Sequence, residues 1–110
     1  MMIKQAFRTL LLATGFLCCS ITLAETVWID VRTVLENKID SIDGDILISH
    51  SEIVKEVSAK FPDKNTDLRL YCLSGGRSGK AVLALQKAGY SNVKNAGGIS
   101  DARKQRGLTE

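Results

Sequence analysis

The stretch Leu68–Lys80, LRLYCLSGGRSGK, constrains this chain more than any other. Leu68 and Leu70 alternate with Arg69 and Tyr71, the period-two pattern of a strand. Cys72 stands where that strand ends. Leu73, Ser74, Gly75 and Gly76 follow, and Arg77 closes the loop. Ser78 suits the N-cap of a helix that Ala81, Val82, Leu85 and Ala88 define by their spacing. The chain must therefore place this loop between the carboxyl end of a strand and the start of a helix.

That placement has chemical consequences. A thiol at pH 7 is mostly protonated, but a helix N-terminus and a nearby guanidinium both favour the thiolate. Two adjacent glycines can take positive φ and turn successive N–H groups inward. Such a nest of amides holds an anion, and Arg77 adds a fork-shaped charge. A lone Cys at a strand end is usually a small buried hydrophobe, and Gly-Gly is usually a turn. The whole combination, Cys72 beneath an amide cradle with Arg77 beside it, reads instead as a nucleophilic site on a rigid scaffold.

The 110 residues bound the chain to one domain. Residues 1–24 read as a secretory signal peptide. Lys4 and Arg8 form a positive start, Leu10 to Leu17 an apolar run, and Thr22-Leu23-Ala24 a small-residue cleavage site before Glu25. The alternatives are a retained membrane anchor, for which the apolar run is short, and a lipoprotein attached at Cys18 or Cys19, where the preceding Phe16-Leu17 and Leu17-Cys18 are bulky. Cleavage removes Lys4 and Arg8, taking the formal charge from +3 to +1. A near-neutral domain lacks the basic face that nucleic-acid binding needs. Of the three cysteines only Cys72 survives cleavage. In an oxidising compartment an unpaired Cys is buried or reactive, and one Cys argues against a structural metal site.

The rest of the mature domain, residues 25–110, alternates strand and helix. Thr26–Asp30 reads as a strand and Thr33–Lys38 as a short helix, with Asp30 as its cap and Arg32 as an ion-pair partner. An alternative makes Asp30 a polar anchor near the loop. Ile46–Ile48 reads as a strand after a turn at Gly44. Ser49 and Glu52 have capping-box spacing ahead of a helix whose buried face is Ile53, Val54, Val57 and Phe61. His50, the single histidine, reads as a surface residue at that helix start. Gly89 ends the helix after the loop. Asn92–Asn95 reads as a strand, Ala96-Gly97-Gly98 as a turn and Ile99–Arg106 as a final helix. This alternation implies an α/β fold, a small, mostly parallel sheet with helices on both faces. Ligands on such sheets sit at the carboxyl ends of strands, where Cys72 lies.

Three segments together resemble the rhodanese sulfurtransferases. The loop has Cys, four residues and Arg; Ile29-Asp30-Val31-Arg32 is similar to that family's "DVR" signature; Gly89-Tyr90, Val93 and Asn95-Ala96-Gly97-Gly98 are similar to its later glycine segment. The resemblance runs from about Thr26 to the C-terminus and is nearest the small secreted single-domain rhodaneses of the phage-shock type. It implies a rhodanese-like fold and a Cys72 persulfide without metal or organic cofactor. Arg77, Leu73, Ser74, Gly75 and Gly76 would bind a small anionic donor such as thiosulfate, with Ser78 and Asp30 in support. Cyanide or a thiol would be the acceptor, and no membrane anchor would persist after cleavage in the periplasm. The chain departs from the family at Asp40–Asp45, where Asp40, Ser41, Asp43 and Asp45 replace the usual Gly, His, Pro and Ala. These aspartates would repel an anionic donor if they faced the site.

Two rival readings use the same residues. Cysteine phosphatases and arsenate reductases also cradle an anion between Cys and Arg. The related phosphatase loops place five residues there against four here, and usually carry His where this chain has Tyr71. The other rival is a sulfur carrier or stress-related binding module that does not turn over.

Overall fold

The computed structural model describes residues 25–109. The expected leader, with Cys18 and Cys19, lies outside them. The elements are β1 (Val27–Asp30), α1 (Val34–Ile39), β2 (Ile46–Leu47), a 3-10 turn (His50–Glu52), α2 (Ile53–Lys60), β3 (Leu68–Cys72), α3 (Gly76–Lys87), β4 (Val93–Gly98) and α4 (Ile99–Gln105). The four strands form one sheet in the order β2-β1-β3-β4, with every neighbour pair parallel. The expected α/β architecture is the one observed.

Strand alternation sorts the core into two layers. Ile29, Leu68, Leu70, Cys72 and Val93 point to the face covered by α2 and α3, where they meet Ile53, Val57, Ala81, Val82 and Leu85. Tyr71 and Ala96 point to the other face, where α4 supplies Ile99 and Ala102 and Trp28 packs alongside. Each fully buried aliphatic side chain contributes about 1.5–3 kcal/mol of transfer free energy. The central strand β3 is buried at four of its five positions, which is why its pattern is so legible. β1 lies between β2 and β3, so the chain leaves β1 towards one sheet edge and returns on its other side. At such a reversal the strand ends leave a crevice, and Cys72 closes β3 there.

Several local expectations failed. Ser49 and Glu52 form no capping box. The His50 N–H reaches back to the Val31 carbonyl at 3.1 Å and the Glu52 N–H to the Ser49 carbonyl at 2.8 Å, which winds the segment into a 3-10 turn. The capping box belongs to α1, where Thr33 rather than Asp30 is the cap and Glu36 the reciprocal partner. Val54 is exposed, so Ile53 and Val57 alone carry the buried face of α2. Finally, β4 runs through the expected turn to Gly98. A register slip pairs Leu70 with Asn95 but Tyr71 with Gly97, leaving Ala96 as the extra residue of a bulge. The bulge keeps both glycines in the sheet beside Cys72.

Candidate active site

The N-cap of the helix after the loop lies three residues earlier than the expected Ser78, at Gly75. Gly75 takes φ 100°, a left-handed conformation open to glycine, and α3 begins at Gly76. Arg77 and Ser78 therefore belong to the first turn, and Ser78 is fully buried rather than an N-cap. No side chain caps this helix from the Gly75 position. The Cys72 sulfur takes that part. It accepts the Gly75 N–H at 2.9 Å and lies 3.4 Å from the Ser78 hydroxyl. A helix start carries amides without intrahelical acceptors and a partial positive charge, so it welcomes sulfur as an anion.

Cys72 is buried, with about 1% of its surface exposed. Burial pushes its thiol up. The Ser78 hydroxyl and the N–H groups of Ser78, Ser74 and Gly75 outweigh that and hold it down, from 9.0 to about 7. Leu73, Ser74 and Gly76 form an exposed rim around it. The loop can lie this close to β4 because Gly98 has no side chain: a Cβ there would fall on the Leu73 carbonyl.

Arg77 stands at the same helix start, but its fork is engaged. Its two terminal nitrogens donate to the two oxygens of Glu36 at 2.6 and 2.8 Å. Glu36 in turn accepts the Thr33 N–H and hydroxyl at 3.0 Å each, so the α1 cap fixes it in place. The guanidinium, helped by the Thr33 N–H, holds the Glu36 carboxyl far below the usual carboxylate range. The pair is only partly covered, with 31% and 27% of its side chains exposed.

Asp30 closes β1, opposite Tyr71 in the register. Its carboxylate accepts the Arg32 N–H and Nε at 2.9 Å, a second Arg32 nitrogen at 2.8 Å and the Asn37 amide at 3.1 Å. The expected Arg32 partnership is present, and its effect is to brace the strand end and α1 rather than to cap a helix. Two aspartates of the acidic segment are engaged by arginines. Asp40 is held by Arg103 at 2.7 Å, and Asp45 by Arg106 at 2.7 Å and the Tyr71 hydroxyl at 2.7 Å. His50 is exposed.

Sequence reasoning missed two residues of this neighbourhood. Glu36 was signalled by the Thr33-x-x-Glu36 box, which is a helix-start signature but says nothing of Arg77. Asn95 was read as the end of a strand and as part of the family-like glycine segment, without a role in the loop. It donates to the Gly75 carbonyl at 3.0 Å and accepts the Ser78 hydroxyl at 2.7 Å. A bulge follows it, and the glycines Gly97-Gly98, which inside a strand can mark a bulge, were read as a turn.

The resemblance between this chain and known proteins is extensive. Residues 21–105 match the rhodanese-like domain family. The thiosulfate sulfurtransferase PspE of Escherichia coli is 35% identical over 95 residues, 86% of this chain and 91% of that protein. The probable adenylyltransferase/sulfurtransferase MoeZ of Mycobacterium tuberculosis is 46% identical over 79 residues, 70% of this chain but only 20% of that longer protein. Among solved structures, a rhodanese with anions from E. coli superimposes with a TM-score of 0.67 at 36% identity, covering 70% of this chain and 91% of that one. With a family match over most of its length and a thiol seated on a helix start at the end of its central strand, the chain belongs to the rhodanese-like domain family.

Proposed function

We propose that the protein is a thiosulfate sulfurtransferase that works through a persulfide on Cys72. The observation that carries this reading is the sulfur at the start of α3, held by amides and a hydroxyl that lower its pKa to about 7. The thiolate attacks the outer sulfur of thiosulfate. The sulfur–sulfur bond of the donor breaks and sulfite leaves with its electron pair. Arg77 and the loop amides from Leu73 to Arg77 offset the charge that gathers on the leaving group. The terminal persulfide sulfur then occupies the amide cradle. Cyanide or a thiol attacks it, the new sulfur–sulfur bond breaks, and the Cys72 thiolate is restored. This is two-step covalent catalysis. Leu73 and Ser74 shape the mouth, Gly75 and Gly76 let the amides converge, and Ser78 and Asp30 support the loop from behind. The 35% identity to the PspE thiosulfate sulfurtransferase over 86% of the chain favours this donor class.

The same reading extends to compartment. Residues 1–24 serve as a cleaved export signal and the domain from Glu25 acts in the periplasm, with Cys72 as its one remaining thiol.

Intact-protein mass spectrometry tests the reaction. The mature domain is treated with thiosulfate, then with cyanide, beside Cys72→Ser. The expected result is a gain of one sulfur, its loss to cyanide over repeated cycles, and neither event in the folded variant, whose turnover falls by at least about 10³-fold. No gain of sulfur would overturn the reading, and sulfur that loads without leaving would make the protein a carrier.

A further inference from the structure

Ser78 presents one hydroxyl proton to three acceptors. Asn95 Oδ1 lies 2.7 Å away, whereas Cys72 Sγ and the Gly97 carbonyl each lie 3.4 Å away. A hydroxyl donates only once, so the shortest contact takes the proton. The orientation of the Asn95 amide is fixed by its surroundings. Its oxygen accepts the Gly97 N–H at 2.9 Å and its nitrogen donates to the Gly75 carbonyl at 3.0 Å. Turning it over would set N–H against N–H and oxygen against oxygen. Room is made for it as well: a Cβ on Gly79 would press on the Asn95 nitrogen at 3.3 Å.

We propose that Asn95 is a positioning residue that withholds the Ser78 proton from Cys72 until negative charge on the sulfur claims it. With a neutral thiol, Ser78 donates to Asn95. When the thiolate or a persulfide anion forms, the hydroxyl rotates to sulfur, and Asn95 Oδ1 keeps the Gly97 N–H. The cost of releasing Ser78 from Asn95 is thus subtracted from the stabilisation of the thiolate. Asn95 sets how nucleophilic the resting sulfur is and how readily the loaded sulfur departs. The ionisable groups near the thiol are Arg77 of α3 with its partner Glu36 of α1, and the Asp30–Arg32 pair at the end of β1. Among the described residues, Asn95 and Ser78 hydrogen-bond each other and their neighbours in the loop and β4 rather than these groups, so these charges are common to every variant below.

The inference rests on Cys72 being the reacting sulfur, but its test reads the thiol itself and stands whether or not thiosulfate is the donor. The pH dependence of Cys72 alkylation by iodoacetamide gives the thiol pKa in the mature domain, in Asn95→Ala, in Ser78→Ala and in the double variant, with circular dichroism confirming that each is folded. Freeing the hydroxyl by Asn95→Ala should lower the pKa by about half to one unit, the scale of one neutral hydrogen bond. Ser78→Ala should raise it, and Asn95→Ala added to Ser78→Ala should change nothing more. A pKa that stays or rises in Asn95→Ala overturns the proposal. So does an equal fall with Ser78 already removed, because Asn95 would then act through Gly75 and the loop backbone. If Asn95→Ala fails to fold, Asn95→Asp keeps the acceptor. It must then raise the pKa more with Ser78 present than without it, and equal shifts overturn the proposal.

Discussion

Two of the molecule's bidentate arginine–carboxylate pairs share a geometry, and their surroundings give them different roles. Arg106 and Asp45 meet at 2.7 and 3.0 Å, Arg77 and Glu36 at 2.6 and 2.8 Å. The Asp45 side chain is 6% exposed. It also accepts the Tyr71 hydroxyl, and the guanidinium of Arg106 stacks over Trp28 at 4.3 Å. Both Asp45 oxygens are engaged within that cluster. Burial, reinforced by Asp45, keeps the Tyr71 phenol protonated well beyond its ordinary range. The Arg77–Glu36 pair is about a third exposed on each side and borders a thiol that acquires charge. A closed pair pins elements together. An open pair at a helix start can be shared with an incoming anion. Geometry alone does not distinguish them; burial and neighbours do.

Arg77→Ala and Arg106→Ala should separate these roles. On the proposed mechanism, Arg77→Ala removes charge compensation for the departing sulfite and should lower kcat/KM for thiosulfate by about 10²–10³-fold, with little change in Tm because the pair is partly exposed. Unaltered kcat/KM would take Arg77 out of the reaction. Arg106→Ala should do the reverse. It leaves a buried carboxylate with only the Tyr71 hydroxyl, at a cost of about 2–3 kcal/mol, below the full penalty for a fully buried pair. In a domain of this size that is roughly 10–20 °C of Tm. Turnover per folded molecule should stay unchanged. A stable Arg106→Ala would show that the closed pair contributes nothing measurable to the stability of the fold.

How much of this was legible in the sequence follows from what each residue depends on. Leu68, Leu70, Ala81, Val82 and Leu85 announce their elements because core burial imposes a local period, and the parallel α/β arrangement follows from their succession. Cys72, Gly75, Gly76 and Arg77 were legible as a set because they are contiguous. Their register was not. The helix starts at Gly76, where the Cys72 sulfur accepts amides of the loop and of the first turn, and no propensity describes an acceptor supplied from the preceding strand. Asp45 was read as a charge that would repel an anionic donor if it faced the site, because its partners, Tyr71 and Arg106, lie 26 and 61 residues away. Glu36 and Asn95 were hidden for the same reason: each contacts the loop across more than fifteen residues of chain.

The thiol sharpens the comparison through pH. Its folded value of about 7 lies below its ordinary 9.0, so the charged form is favoured in the native state. Thiolate-dependent loading should rise roughly tenfold between pH 6 and pH 8 and level off above. The linked contribution to stability has the sign of a depressed acid. It is complete above pH 9 and is lost as pH falls through 7. Thermal denaturation across pH 6–9 should therefore show a rise in Tm that Cys72→Ser abolishes. A rise that persists in Cys72→Ser would place its origin elsewhere in the fold.

The smallest expected effect probes the open pair most directly. Glu36→Gln keeps the shape of the side chain and an oxygen for the Thr33 N–H, so the start of α1 is retained. It removes the negative charge that Arg77 faces at 2.6 Å. With Glu36 charged, an anionic donor must compete for the guanidinium or share it. With Gln it meets an uncompensated cation at the start of α3. KM for thiosulfate should then fall by about two- to fivefold at low ionic strength, the scale of a partly exposed charge pair. The gain should shrink as salt is raised, because the added field is screened over about 10 Å at 0.1 M. A KM that rises, with the same salt dependence, would mean that Glu36 holds Arg77 in its working position. The open pair would then be a brace like its buried counterpart, differing from it only in how much water it sees.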